Sequence, residues 1–298
     1  MLGFHSVPSV AIARPAFTNS LRTATVPDAA LAELAGPRGF CVVPNWLCTK
    51  DVLAVWSDVR ACEEAGLARV AGVGSLKHGN RHMNERVRSS SMCPLIPPPP
   101  PSVGSIDTRL ALSAAVSDLR EVLTKSPLLY DLPALAPFRT ELSYLCYPVG
   151  GFYRRHIDVP AARDGWQPLG RSPEDGGSFS GARTRREVSF LLYLNPGWDP
   201  AWGGALRVYP PEGQGAKGPR AQGPKRVYSP EARYGRTPSD EPSEEPSDEP
   251  SEEPHVDIAP EGGTLVMMRS DRVPHEVCET RRGRQCVVGW FCTMHTDR

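Results

Sequence analysis

Neither sign of charge prevails in this chain. Lys plus Arg and Asp plus Glu stand at 34 each in 298 residues, so the basic surplus that draws proteins to nucleic acid or anionic lipid is missing. No apolar run approaches the roughly twenty residues that span a bilayer, which predicts a soluble protein with neither nucleic acid nor membrane as partner. Cysteine is sparse for the length: there are eight, none in a CxxC pair, too few and too scattered for a disulfide scaffold or a zinc ribbon. Cys41, Cys146, Cys286 and Cys292 fall in apolar, strand-like segments, where a reduced thiol packs as a small core residue. That pattern favours a reducing, intracellular setting, cytoplasmic or nuclear.

Other absences are local. Residues 1–27 contain no Asp or Glu, yet carry Arg14, Arg22 and six Ser or Thr; this composition suits an organellar transit peptide (plastid or mitochondrion) and equally a disordered N-terminus. Gly213–Arg236 and Ser239–Pro254 lack the apolar residues of a core. The first is rich in Gly, Pro and Arg, and the second repeats Ser-Asp/Glu-Glu-Pro four times with eight carboxylates. Neither can offset its ordering entropy, so a disordered insertion is predicted at about 213–254 within a single domain over residues 30–298. Lys217, Arg220, Lys225, Arg226, Arg233 and Arg236 can contact the acidic repeat, although a solvated spacer is the simpler reading.

The remainder has pattern. Gly39–Leu47 reads as a strand leading into a helix at Thr49–Ala65, with Thr49 as cap and Asp51 in the first turn. A second helix is predicted over Asp107–Lys125, and Pro97–Pro101 between them as an extended polyproline II loop on the surface. Glu187–Asn195 alternates as a strand that sets Ser189, Leu191 and Tyr193 on one face.

His156-Ile157-Asp158 is the first chemical signal. A strand sets residues i and i+2 on one face, so an imidazole and a carboxylate can reach one ion. His275 follows a polar, turn-like stretch, Ser270–Pro274, after the apolar run Thr264–Met268. Two histidines and one carboxylate on one side of a metal form the facial triad of non-haem Fe(II) sites. His255-Val256-Asp257 is a second match, set aside because it directly follows the acidic repeat. It also stands only twenty residues before His275, with little room for the strands that should separate ligands. Arg284 opens a β-rich segment and shares a face with Cys286, Val288 and Trp290. A guanidinium there calls for an anion, and its fork matches a carboxylate; the alternative is a strand-end Arg with its head in solvent.

Several segments, in order, resemble the 2-oxoglutarate- and Fe(II)-dependent dioxygenases, and within them the prolyl hydroxylases that act on hypoxia-inducible factor and their microbial and algal relatives. They are Cys146-Tyr147-Pro148 through Asp158, Leu192-Tyr193-Leu194-Asn195 with Trp198, Gly203–Pro210, Ser270–Val277, and Arg284 with Trp290-Phe291. The resemblance implies a mainly β (α+β) fold, a double-stranded β-helix or cupin-like jelly roll with N-terminal helices on one sheet. It implies His156, Asp158 and His275 as catalytic metal ligands, Arg284 and Tyr193 on the distal carboxylate of 2-oxoglutarate, and Tyr147 lining the same pocket. The cofactors implied are Fe(II), 2-oxoglutarate and ascorbate; the partners are dioxygen and a proline-containing protein or peptide. The implied reaction is prolyl hydroxylation with release of succinate and CO2. These residues serve the cosubstrate and say little about the prime substrate. Another side chain, a small molecule, and a catalytically silent interaction module therefore stay open.

Overall fold

Tyr193 and Leu192 are neighbours in one strand yet belong to different cores, and this division organises the molecule. The computed structural model describes residues 20–72, 84–137, 140–159, 162–168, 182–211 and 253–296. The expectations for residues 1–19 and for nearly all of the 213–254 insertion lie outside them. In chain order the elements are α1 (Asp28–Ala35), β1 (Phe40–Val43), α2 (Thr49–Glu64), β2 (Arg69–Val70), β3 (Arg88–Ser89), β4 (Ser91–Pro94), α3 (Ile106–Lys125), β5 (Thr140–Tyr147) and β6 (Phe152–His156). Then come β7 (Gln167–Pro168), β8 (Ala182–Tyr193), β9 (Leu206–Val208), β10 (Val256–Ile258), β11 (Leu265–Arg269), β12 (His275–Val277) and β13 (Arg284–Thr296).

The larger sheet runs β1-β11-β8-β13-β5-β4-β2, with β7 paired on β8, and the smaller runs β10-β9-β12-β6-β3. All the pairings are antiparallel. Inward residues of the larger sheet, including Leu145, Tyr193, Val266 and Val288, pack against Leu206, Val208, Ile258 and Val277 of the smaller. The outward residues Val188, Phe190, Leu192, Val287 and Phe291 pack against the helices. This is the expected jelly roll with helices on one sheet. Where they are covered on both faces, Val188–Tyr193 of β8 and Cys286–Cys292 of β13 are nearly continuous apolar runs rather than polar alternations.

One glycine is required by this packing. A Cβ at Gly289 would sit 2.3 Å from the Phe190 ring and 2.6 Å from the Glu141 carbonyl, where Phe190 and Phe291 stack at 4.9 Å.

The helices bury spaced apolar stripes, Val52, Val55 and Val59 in α2 and Leu112, Val116, Leu119 and Leu123 in α3, as a 3.6-residue period demands. Both boundaries fall within a residue of expectation, but the caps differ. Cys48, not Thr49, is the N-cap residue of α2, and Asp51 accepts from the Cys48 thiol at 3.2 Å and the Arg22 N–H at 2.7 Å. Helix α3 starts at Ile106 behind Ser105, whose hydroxyl accepts from the Thr108 N–H at 3.2 Å. The proline run is exposed except at Pro99, whose carbonyl accepts from Arg109 at 2.8 Å, so helix α3 pins it. No helix among the described residues is long and apolar enough to cross a membrane.

Candidate metal centre and anion site

Strand β6 ends at His156 and β12 begins at His275, and the two are direct partners in the antiparallel register. Their rings lie 4.3 Å apart. Asp158 sits in the bend just past β6 rather than on the strand, so the carboxylate reaches the histidines from a loop. His156 Nε2 is 3.7 Å from Asp158 Oδ1, and His275 Nε2 is 3.9 Å from Asp158 Oδ2. One ligand atom from each residue falls within 4.8 Å of the others, a span that one ion with bonds of about 2 Å can bridge.

The imidazoles are oriented by the backbone. His156 Nδ1 is 2.9 Å from the Arg154 carbonyl and His275 Nδ1 is 3.0 Å from the Val273 carbonyl. A carbonyl only accepts, so each Nδ1 carries the hydrogen, and Nε2 is the nitrogen left facing Asp158 on each ring. Burial, reinforced by the neighbouring His275, drives the pKa of His156 down to about 3, which keeps it unprotonated, as a metal ligand must be, at neutral pH. Burial alone would raise the Asp158 carboxyl, but His275, His156, Arg186 and the Ser189 hydroxyl outweigh it and hold Asp158 below the usual carboxylate range.

The rival motif is engaged elsewhere. Asp257 takes a two-pronged bond from Arg207 at 2.8 Å on each arm, and His255 Nδ1 faces the Glu253 carbonyl at 2.9 Å. The spacing argument against it does not hold, because β10, β11 and the start of β12 all fit between Val256 and His275. Asp257 is occupied by Arg207, and neither it nor His255 belongs to the cluster. Among the described residues, His156, Asp158 and His275 are the group that could hold a metal.

Arg284 does not hold its head in solvent but is fully buried. It pairs with Tyr147 across β13 and β5, and its guanidinium carbon lies 4.8 Å over the Tyr147 ring and 5.0 Å over the Tyr193 ring. None of its Nε, Nη1 and Nη2 atoms has a hydrogen-bond partner, and neither has the Tyr193 hydroxyl. A buried guanidinium without an anion costs several kcal/mol, roughly; a carboxylate in this cage satisfies the orphaned donors together. Gly204 leaves the room: a Cβ there would come within 3.3 Å of Arg284 Cδ. Burial raises Tyr147 to about 12, against the pull of Arg88 and Arg284, and raises Tyr193 as well. Both phenols therefore stay protonated as donors. Arg284, Tyr147 and Tyr193 share the inward face with Ser189 and Trp290, which are partners in the register. The donor set thus fits a ferrous ion at one end and a dicarboxylate at the other.

Four residues of the site gave no sequence signal as such. Ser189 donates to Asp158 Oδ2 at 2.6 Å. Ser270 lies 2.7 Å from the Ser189 hydroxyl. Arg88 lies 4.5 Å over Tyr153, which stacks on His156 at 3.7 Å. Arg186 lies 3.8 Å over Trp290 and bonds Glu141 at 2.6 Å.

Residues 142–292 match the 2OG-Fe(II) oxygenase superfamily. No curated protein matches the chain in sequence. A prolyl-4-hydroxylase from Pseudomonas putida is similar in structure, with 25% identity over 89% of this chain and 97% of that one at a TM-score of 0.57. A prolyl hydroxylase from Trichoplax adhaerens, solved with a hypoxia-inducible factor oxygen degradation domain peptide, is 20% identical over 89% and 87% at 0.56. A prolyl 4-hydroxylase from Phytophthora capsici is 16% identical over 94% and 69% at 0.50. The superfamily match takes in just over half of the chain and every strand that carries the cluster and the buried arginine, so this chain belongs to the 2OG-Fe(II) oxygenases, dioxygenases that use Fe(II) and 2-oxoglutarate.

Proposed function

We propose that this chain hydroxylates prolyl residues in a protein or peptide, with His156, Asp158 and His275 holding the iron and Arg284 with Tyr193 holding the distal carboxylate of 2-oxoglutarate. The observation that carries the reading is the buried, unpartnered Arg284 on the same inward face as Ser189, the residue that bonds Asp158. The prolyl substrate is supported by the likeness, over 89% of this chain, to the Pseudomonas prolyl-4-hydroxylase. When bound, Fe(II) and 2-oxoglutarate supply the oxidising chemistry, with succinate and CO2 as by-products.

The protein's own residues supply position and electrostatics. The Arg154 and Val273 carbonyls aim the two imidazoles, and Ser189 aims Asp158. Arg284 neutralises a carboxylate that would otherwise be costly to bury, and Tyr193 and Tyr147 give phenolic donors beside it. The apolar inward face, with Leu145, Leu191, Val288 and Trp290, keeps water out. The reading extends to ascorbate as a supporting reductant and to a reducing, intracellular compartment, which suits eight free thiols.

The test is direct. The purified chain with Fe(II), 2-oxoglutarate and oxygen is given proline-containing peptides, and succinate is measured together with a 16-dalton gain on the peptide. Stimulation that is equal with the proline replaced by alanine refutes the prolyl assignment.

A further inference from the structure

A groove of about 310 Å3 lies between α2, the segment after β8 and the turn before β13, lined in part by Trp56, Arg60, Pro196, Trp198, Trp202 and Arg282. It is separate from the metal centre. Gln285 also lines it, and consecutive strand residues point to opposite faces, so Gln285 looks outward where Arg284 looks inward.

The lining has a definite chemistry. Trp198 and Trp202 stand edge to face at 5.4 Å and 87°, and Trp56 keeps 37% of its surface exposed. Arg282 lies 4.1 Å over Trp202, and Arg60 lies 5.9 Å from the Trp56 ring centre. Arg60 is shared with Glu63 and Glu64 at 3.8 and 3.6 Å. Among the described residues no carboxylate pairs with Arg282 or the adjacent Arg281. Indole faces accept a pyrrolidine ring, and guanidinium groups at their edge accept a carboxylate, so the fitting ligand is a peptide in which Pro adjoins Glu or Asp.

We propose that this groove binds Glu-Pro units and that its occupant is the chain's own acidic repeat. The repeat offers Glu241-Pro242, Glu245-Pro246 and Glu249-Pro250 in equivalent contexts and carries no basic residue. Its fourth unit, Glu253-Pro254, already shows the charged half of that chemistry. Glu253 ion-pairs with Arg155, and Arg155 lies 3.9 Å over the Tyr209 ring, an arginine-on-aromatic seat like that of Arg282 on Trp202. The reach suffices. From Trp202 at the groove to Tyr209 at the Glu253 seat the chain advances seven residues, and from Glu253 back to Glu245 it offers eight, each up to about 3.3–3.6 Å.

A labelled synthetic peptide, Ser-Glu-Glu-Pro-Ser-Asp-Glu-Pro, tests this by fluorescence anisotropy on two full-length chains. One is natural; the other carries Glu241→Gln, Glu245→Gln, Glu249→Gln, Pro242→Ala, Pro246→Ala and Pro250→Ala. A tethered segment competes at an effective concentration of about 1 mM, so the substituted chain should bind the peptide at least about tenfold more tightly than the natural one. Adding Trp56→Ala and Arg282→Glu to the substituted chain should remove that binding while leaving its melting temperature within a few degrees. Equal binding to natural and substituted chains would mean the groove serves a separate partner and would overturn the proposal. No binding to either chain would overturn it too. Binding that survives the groove substitutions would place the repeat on the basic stretch at 217–236 instead.

Discussion

Ser189 and Asp158 are 31 residues apart in sequence and joined by a 2.6 Å hydrogen bond. The single hydroxyl hydrogen of Ser189 goes to the carboxylate, so Ser270, 2.7 Å from the same oxygen, must donate in turn. Asp158 leaves β6 on a bend, and this relay from β8 fixes one of its oxygens while the other remains for a metal. Ser189→Ala should lower Fe(II) affinity by about tenfold, the lower end of what losing such a supporting bond costs. Competition titration with Co(II), followed by its visible bands, measures this without turnover; unaltered affinity would show that the bend holds Asp158 unaided.

Arg284→Met should act on the cosubstrate more than on the metal. Loss of a charged hydrogen-bonding partner is worth about 1.5–3 kcal/mol, which is roughly a 10- to 150-fold rise in the KM for 2-oxoglutarate. Tyr193→Phe removes one neutral donor, and its effect should be about 0.5–1.5 kcal/mol, below tenfold in most of that range. Succinate release against 2-oxoglutarate concentration separates the two. A KM unchanged in Arg284→Met would remove that residue from the cosubstrate site.

The sequence showed the frame of the site because its signals are local. His156 and Asp158 are two residues apart, and the β8 and β13 segments announce buried strands by apolar content alone. The partners that aim the ligands are not local. Arg88 sits on a two-residue strand in a polar stretch, and it meets Tyr153 only because β3 pairs with β6. Arg284 was legible as an anion partner on an apolar strand face, but not how deep it lies: only the closing of the two sheets leaves it fully buried. The cap of α2 fell one residue early because Cys48, a poor capping type, sits where Asp51 and the Arg22 backbone complete the turn.

The two His-x-Asp motifs should part completely in the test tube. His156→Ala leaves two ligands and should abolish succinate release, and His275→Ala should do the same. His255→Ala should leave turnover within about twofold, because Asp257 keeps its pair with Arg207 and exposed pairs of this kind contribute about 0–1 kcal/mol. A comparable loss from His255→Ala would require the cluster to be redrawn.

Asp58 should be a stability residue with a delayed cost to function. Its side chain is fully buried on α2 and faces Arg109 of α3 at 2.9 and 3.1 Å. It also accepts from the Tyr144 hydroxyl of β5 at 2.7 Å and pairs closely with the Ser105 N–H that starts α3. One carboxylate thus ties both long helices to the strand that ends in Tyr147. Removing it strands a buried guanidinium, so Asp58→Ala should destabilise the fold by about 3–5 kcal/mol. Tyr144→Phe loses a single bond to a charged group and should cost about 1.5–3 kcal/mol. Urea unfolding followed by tryptophan fluorescence gives both values. Because the network shares no atom with the cosubstrate cage, KM for 2-oxoglutarate in Tyr144→Phe should match the natural chain at temperatures where both are folded. A raised KM in a fully folded variant would instead show that the helices set the position of Tyr147.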